Sequence, residues 1–337
     1  MPKSIENINI SVCIPTRNRK DLLEKCIKSI LNQSVPPFEI VIIDGNSSDD
    51  TKEMILNLSK KFNFIKYFFQ ETHNGIALDV INSLNCAKGD YCWMMSDDDL
   101  LHKDAINDVS HFLNDRKNIS GLSVGYTFFD KTMSYKIKSM RPTRTKIKER
   151  FIEFNSIEDT FEEIGHHLGF LSGQIINRKK VINVITAQDM KNFLNPWIII
   201  NLVGLVLKKD PYWAFLNIPL VHYRSGNDSF LNNGVYKRQL ITHKELRNTF
   251  LYFFNKKSKT FKLLMSSLVS IRMPRALAVI KANNASYSEI FLLLKLYIKY
   301  YWVFPSFWIK VFPIFLIPNF VINIFRFIYN SFKKVIH

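Results

Sequence analysis

Hydrophobic and polar positions in the first hundred residues follow two alternating periods. "INISVCIP" (residues 8–15) is an apolar, β-rich run, and "KDLLEKCIKSILNQ" then sets Leu22, Leu23, Cys26, Ile27 and Ile30 at helical spacing. "PFEIVIID", "TKEMILNLSKKF", "FIKYFFQ", "IALDVINSLNCA" and "DYCWMM" continue the series as strand, helix, strand, helix and strand. This alternation predicts a parallel sheet with helical crossovers. Strands buried on both faces account for their uniformly apolar look.

Each of three predicted strands closes on a polar cluster: Pro15-Thr16-Arg17-Asn18-Arg19, Asp44-Gly45-Asn46-Ser47, and Ser96-Asp97-Asp98-Asp99. In such sheets ligands collect at the carboxyl ends of the strands. Three adjacent carboxylates repel one another unless positive charge sits among them. A helix N-terminus would also welcome them. Several polar ends around one edge favour a site over a cap, and Mg²⁺ or Mn²⁺ bridging carboxylates and a diphosphate supplies the missing charge.

Composition narrows the class. Of 337 residues, 47% are hydrophobic and 14% aromatic, which excludes a disordered chain. Cys13, Cys26, Cys86 and Cys92 form no CxxC pair and read as core thiols of a reducing compartment. The N-terminal "MPKSIENINISVCIP" shows no secretory signal, so the expected location is cytoplasmic.

The net charge of +17 is uneven. Residues 231–337 hold 17 Lys and Arg against Glu245 and Glu289, and residues 131–150 hold eight basic residues against Glu149. The remainder is slightly acidic. Such asymmetry points to a polyanionic partner, nucleic acid or an anionic membrane. Nucleic acid would explain the charge and the aromatics but not the acidic strand ends. The C-terminal "FLLLKLYIKYYWVFPSFWIKVFPIFLIPNFVINIFRFIYNSFKK" is dense in aromatics and broken by Pro305, Pro313 and Pro318. Short helices lying in the headgroup layer, lysines towards anionic lipid, fit that pattern. A buried helical core and a span over residues 312–328 are the alternatives. The basic stretch 131–150 reads either as a solvated flap or as an arm reaching acceptor or lipid.

The segments "SVCIPTRNR", "IVIIDGNSSDDT" and "HNGIALDVINSLNCAKGDYCWMMSDDDLL", in that order, resemble the nucleotide-binding half of the family 2 glycosyltransferases. The resemblance implies an α/β glycosyltransferase A fold, a Rossmann-like, mostly parallel sheet with helices on both faces. It implies a catalytic domain over 1–230, split into nucleotide (1–115) and acceptor (116–230) halves, while the basic, aromatic-rich pattern of 231–337 makes that stretch a membrane-associating helical region. Asp44 takes the position of the nucleobase contact, Pro15 and Thr16 that of the pair after the first strand, and Asp97, Asp98 and Asp99 that of the metal motif. Asp44-Gly45-Asn46-Ser47 departs from the usual pattern by carrying one Asp where two are common. A nucleotidyltransferase of related fold usually opens with a Gly-rich phosphate loop, and "CIPTRNRKDLL" has no glycine.

"HHLGFLSGQIINRKK" and "IPLVHYRSGNDSF" are similar to a narrower group, the abequosyltransferase-like enzymes of bacterial O-antigen assembly. That implies a CDP- or UDP-, GDP- or dTDP-linked donor, with a 3,6-dideoxyhexose as its sugar; another sugar such as a hexose or N-acetylhexosamine is the alternative. It also implies a polyprenyl-diphosphate-linked oligosaccharide acceptor at the cytoplasmic face of the inner membrane. The candidate nucleotide-sugar contacts are Pro15, Thr16, Arg17, Arg19, Asp44, Asp97, Asp98, Arg224 and Asp228. Arg224 also reads as a surface cation, and Asp228 as a catalytic base or a turn former. The catalytic base is the weak point of the pattern: Asp189 in "TAQDMKNFLNPW" is the nearest carboxylate, and it reads equally as a helix-start residue. His166 and His167 are further candidates.

Overall fold

The strand β1 (Ile10–Thr16) is buried at all seven positions. It lies between β2 (Glu39–Asp44) and β4 (Tyr91–Met94), both parallel to it. Helix α1 (Lys20–Leu31) turns Leu23, Cys26, Ile27 and Ile30 inwards, the stripe expected at that spacing. Helices α2 (Thr51–Lys61) and α3 (Ile76–Cys86) complete the crossovers on either side of β3 (Ile65–Phe69). The structure is a computed structural model, and it describes residues 8–116, 118–140, 143–145, 147–227, 234–283 and 285–324. The chain divides into two compact units, Met1–Asn227 and Asp228–His337.

In the first unit the remaining elements are β5 (Leu100–Leu101), α4 (Ala105–Asn114), β6 (Gly121–Phe129), β7 (Lys136–Met140) and β8 (Phe151–Phe154). They are followed by α5 (Ile157–Ile164), β9 (Gln174–Asn177), α6 (Arg178–Ile182), α7 (Ala187–Phe193), α8 (Ile198–Lys209) and β10 (Trp213–Arg224). Among the described residues the sheet runs β3-β2-β1-β4-β9-β6-β10-β5, with β7 on β6 and β8 on β10. The short β9 is antiparallel to both β4 and β6, while β10 is parallel to β6. Two reversals restore the direction, so β1, β2, β4, β6 and β10 all end at the same edge.

Two expectations change. Among the described residues the β3 strand pairs only with β2, and as an edge strand it leaves Phe68 and Phe69 exposed, so its apolar run is not buried on both faces. The basic stretch 131–150 is not wholly a flap, because β7 pairs antiparallel with the outer half of β6. Cys13, Cys26 and Cys92 are free and buried, as core thiols should be.

The second unit is helical: α9 (Val235–Leu240), α10 (Leu246–Phe253), α11 (Lys259–Ser267), α12 (Met273–Ala282), α13 (Tyr287–Tyr301) and α14 (Phe312–Leu316). Its core holds Phe250, Leu264, Leu268, Leu277, Leu293 and Phe307. A neutral polar network is buried with them. Nδ1 of His243 meets the Tyr301 hydroxyl at 2.9 Å, Nε2 meets Gln239 Oε1 at 3.0 Å, and the Tyr297 hydroxyl donates to the same Oε1 at 2.9 Å. Since Oε1 can only accept, Nε2 carries the proton and Nδ1 accepts from Tyr301. Burial, with Arg238 adding to it, pushes His243 down to about 3. Lys281, also buried, donates to the carbonyls of Ile314 and Phe315 at 3.0 Å and to that of Ile317 at 2.5 Å, capping the end of α14.

Outward from that core stand Tyr287, Phe291, Trp302, Val303, Trp308, Ile309, Leu316 and Phe320, with Tyr287 91% exposed. Lys295 lies 4.4 Å over the Phe291 ring. Among the described residues one helix, Lys259–Ala282, in which α11 and α12 run together through a wider turn at Leu268–Arg272, is long and apolar enough by length and composition to cross a membrane. The helix α14 stops at Leu316, with Ile317 already extended ahead of Pro318, so no continuous helix runs from residue 312 through the proline.

Candidate active site

Beyond β4, Met95 still donates to the Cys13 carbonyl, and the chain then turns through Ser96 to Asp99. The three carboxylates diverge. Thr16 Oγ1 donates to Asp97 at 2.8 Å, and Arg19 reaches Asp97 at 3.0 Å and Asp98 at 2.7 Å with separate guanidinium nitrogens. Asp98 also accepts from Ser96 Oγ at 2.5 Å and from Asn227 Nδ2 at 2.6 Å. Asp99 turns inward to accept from Ser172 Oγ at 2.6 Å and from the Arg224 amide at 2.9 Å. Asp98 is the most open of the three at 9% exposure, against 3% for Asp97 and 1% for Asp99.

This arrangement is short of positive charge. Burial, opposed by Arg19 and aided by Asp98, pushes Asp97 up to about 7. Burial and the Asp98 charge push Asp99 up to about 8 against the hydrogen bonds from Ser172 and Arg224. Burial works against the Arg19 charge, but Asp97 and Asp98 outweigh it and hold that guanidinium more firmly protonated. Among the described residues no group of three or more His, Cys, Asp or Glu side chains is arranged to hold a metal ion. Two carboxylates that share a single guanidinium nonetheless fit Mg²⁺ or Mn²⁺ in kind, because such ions take one or two carboxylates and draw their other ligands from phosphate and water. Asp98, with Asp97 behind it, is the pair suited to that mode.

Arg224 is not a surface cation. It is buried at the end of β10, where Nε donates to the Asp98 carbonyl at 2.9 Å and Nη1 to the Lys131 carbonyl at 2.7 Å. Its Nη2 is buried with no partner among the described residues. Arg224 therefore ties the turn of the triplet to the ends of β6 and β10. Ser172 does the same from the other side: its hydroxyl accepts from the Ser96 amide at 2.9 Å, and its carbonyl accepts from Trp93 Nε1 at 2.9 Å. Ser172 does not stand out in the sequence, since a lone Ser carries no local signature of a partner 76 positions away, whereas Asn227 falls in the "NDSF" run that resembles the abequosyltransferase-like group.

Asp44 ends β2 and is wholly buried. The Ser47 amide donates to its Oδ1 at 2.8 Å and the Tyr67 hydroxyl to its Oδ2 at 2.9 Å, and burial together with Asp44 raises the Tyr67 phenol. Two left-handed residues, Asn18 (φ 53°) and Asn46 (φ 68°), shape the neighbouring loops. The Asn18 amide donates to Ser47 Oγ and its side chain accepts from the Ser48 amide, so the β1 and β2 loops are locked together. Pro15 is buried within β1, whereas Arg17 is exposed in the loop after it.

Asp189 and His167 make their contacts outside this network. Asp189 completes a capping box with Thr186 at the start of α7, accepting from both its amide and its hydroxyl. His167 is buried, its Nε2 2.9 Å from the Val124 carbonyl and its ring stacked on Tyr126. Asp228 lies outside the described residues.

Comparison with known proteins bears on the family and the fold. The sequence pattern described as "Glycosyl transferase family 2" matches residues 11–182, half of the chain. The "GalNAc(5)-diNAcBac-PP-undecaprenol beta-1,3-glucosyltransferase" of Campylobacter jejuni is 41% identical over 107 residues, 32% of this chain and only 35% of that enzyme's length. The "Abequosyltransferase RfbV" of Salmonella typhimurium is 29% identical over 249 residues, 69% of this chain and 71% of that one. Among solved structures, S. aureus TarS 1–349 in complex with UDP-GlcNAc superposes with a TM-score of 0.58 at 12% identity, covering 87% of this chain and 82% of that one. The mannosyltransferase PcManGT of Pyrobaculum calidifontis, in complex with GDP-Man and Mn²⁺, gives 0.52 at 15% identity over 94% and 87%. These structural likenesses establish the glycosyltransferase A fold. The family match, over half the chain, establishes the membership: the chain belongs to the family 2 glycosyl transferases.

Proposed function

We propose that the chain moves a sugar from a nucleotide-sugar donor to a lipid-diphosphate-linked oligosaccharide in surface-polysaccharide assembly, with a 3,6-dideoxyhexose as the sugar. The observation that carries this reading is the strand-end cluster: Asp97 and Asp98 share Arg19 at the edge where β1, β2 and β4 end, and the cluster still lacks positive charge. The relatives' names supply the pathway class, a diphosphoundecaprenol-linked acceptor in one case and an abequosyl donor in another.

In this mechanism the Asp44 corner holds the nucleoside and Asp97 and Asp98 face the donor diphosphate. A divalent cation bound there would neutralise the diphosphate as it departs. Arg19 offers the same oxygens a second positive group and keeps the two carboxylates oriented. Arg224 and Asp99 act behind them, fixing the turn. The acceptor hydroxyl attacks the anomeric carbon, the bond from that carbon to the diphosphate oxygen breaks, and the hydroxyl proton passes to a base. Asp189 is the carboxylate proposed for that proton. Its Thr186 contacts also support a purely structural role, and Asp189→Asn separates the two. A base variant keeps donor affinity and loses turnover, whereas a cap variant lowers the melting temperature.

The outward face of the helical unit supplies the second half of the proposal. Exposed Trp302, Trp308 and Phe291, interleaved with Lys295, Lys299 and Lys310, suit the headgroup layer of an anionic membrane, where a lipid-linked acceptor resides. The cytoplasmic face is the expected side. Purified protein in detergent, given a panel of nucleotide sugars with Mn²⁺ or Mg²⁺, should release nucleoside diphosphate slowly from one donor and faster when a polyprenyl-diphosphate-linked oligosaccharide is added. No release from any donor under either metal contradicts the reading.

A further inference from the structure

Asp79 sits in the first turn of α3, beside the end of β2, and takes no part in the triplet's network. A first-turn Asp normally stays in solvent and favours the helix dipole from there. This one is 3% exposed. Its Oδ1 accepts from Gln70 Nε2 at 2.7 Å, and its Oδ2 accepts no hydrogen bond from any described residue. That free oxygen faces Gly45, the residue after Asp44: a Cβ built on Gly45 would lie 2.9 Å from Asp79 Oδ2 and 3.6 Å from His73 Nδ1. The missing side chain at Gly45 is what keeps the oxygen reachable. Burial raises the Asp79 carboxyl, opposed by Gln70 and His73 and aided by Asp44, so a donor from a ligand would relieve it.

The orientation is locked. Gln70 donates its amide to the Asp44 carbonyl at 2.9 Å, and its side-chain Oε1 accepts from Asn74 Nδ2 at 3.0 Å. With Oε1 occupied by a donor, Gln70 must turn its NH₂ group towards Asp79. Asp79 Oδ1 is therefore committed as an acceptor, and Oδ2 is left as an acceptor aimed at the corner that Asp44 closes. Two carboxylates around one glycine form an edge of acceptors. Cytosine and guanine offer such an edge an exocyclic NH₂, whereas uracil and thymine offer carbonyl oxygens on either side of one N–H.

We propose that Asp79 reads the donor's nucleobase and selects one bearing an exocyclic amine, cytosine or guanine, over uracil or thymine. The inference rests on the reading that this sheet edge binds a nucleotide sugar, and it adds the choice of nucleotide. The network also fixes what an isosteric change does. In Asp79→Asn the amide oxygen must face the Gln70 NH₂, so the new NH₂ takes the place of Oδ2. The acceptor becomes a donor, and the preference inverts towards bases with a carbonyl at that position.

Titration calorimetry of the full chain with CDP, GDP, UDP and dTDP in Mn²⁺ tests this. The wild type should bind CDP or GDP about tenfold or more tightly than UDP and dTDP, the scale of one charged hydrogen bond. The CDP and GDP arms show which amine-bearing base fits. Asp79→Asn should reverse the order, with a melting temperature near that of the wild type. A wild type that binds UDP or dTDP as well as CDP and GDP overturns the proposal without needing the variant, and so does an Asp79→Asn protein whose four affinities fall together, as a merely structural carboxylate would give. If none of the four binds the wild type, the nucleotide-sugar reading itself fails and this inference goes with it.

Discussion

The two units bury polar groups in opposite ways. In the sheet unit most of the buried polar residues at or beside the strand ends are ionisable: Asp44, Asp79, Asp97, Asp98, Asp99 and Arg224 lie within a tenth of full burial. Among the described residues of the helical unit the buried polar groups include Lys281, met by three carbonyls, and a neutral cluster that includes His243, Tyr297, Tyr301 and Gln239. A neutral network can be satisfied entirely from within, as this one is. A set of carboxylates served by Arg19 and Arg224 cannot be, and its raised Asp97 and Asp99 register the shortfall. Buried charge that the protein does not balance is a cost tolerated where a ligand completes the balance. Exposed surface shows the reverse contrast, since the helical unit carries many of the large exposed aromatics and aliphatics. One unit is unfinished inside and the other outside.

The contrast breaks most sharply at the triplet. Asp98→Ala removes the open carboxylate and should lower transfer by about a hundredfold or more, the usual loss for one preorganised charged group, with the melting temperature almost unchanged. Asp99→Ala leaves the Ser172 hydroxyl and the Arg224 amide without their acceptor and should lower stability by about 1–3 kcal/mol. Steady-state rates and thermal melts of both variants check the pair. Equal activity losses with equal melts would merge two roles that the geometry separates.

A smaller effect concerns the outer face of the helical unit. Each basic residue near an anionic bilayer contributes about 1 kcal/mol, a contribution that fades with salt. Changing Lys295, Lys299 and Lys310 together to Gln should weaken binding to phosphatidylserine-containing vesicles by up to about a hundredfold at low salt and far less at high salt. Flotation assays at two ionic strengths measure it. Binding that ignores both salt and the lysines would assign the whole attachment to apolar burial.

A pH-dependent effect lies in the neutral network. His243 is pushed down to about 3, so the folded chain stays unprotonated there while the unfolded chain takes a proton below about 6.5. Between those values the unfolded state binds more protons, and stability falls as pH drops, by at most about 1.4 kcal/mol per pH unit. Denaturant titrations from pH 7 to pH 4 should show this slope, flattened in His243→Gln.

Much of the sheet is legible from local pattern. The helical stripe of α1, the strand runs that close on Thr16 and Asp44, and the triplet after β4 all come from periodicity and from polar residues at strand ends. Pairing is not legible in the same way. Nothing in "QIIN" announces that β9 enters antiparallel between β4 and β6, because register is set by partners far away in sequence. "FIKYFF" looks as buried as its neighbours, yet β3 has a partner on one side only. The depth of Arg224 escapes the sequence for the same reason: its backbone amide meets Asp99 across 125 positions. Asp79 is disguised as an ordinary first-turn acid, and only Gly45 and Gln70, brought to it by the fold, give it a direction.

The central claim is that Asp98, with Asp97 behind it, completes its charge balance with a divalent cation and a nucleoside diphosphate. Electron paramagnetic resonance of Mn²⁺ titrated into the full chain with a nucleoside diphosphate present tests it most directly. The account predicts one bound Mn²⁺ per chain in the wild type, in excess of what the nucleotide alone retains, and loss of that ion in Asp98→Ala. An Asp98→Ala protein that holds Mn²⁺ and nucleotide as the wild type does would contradict it.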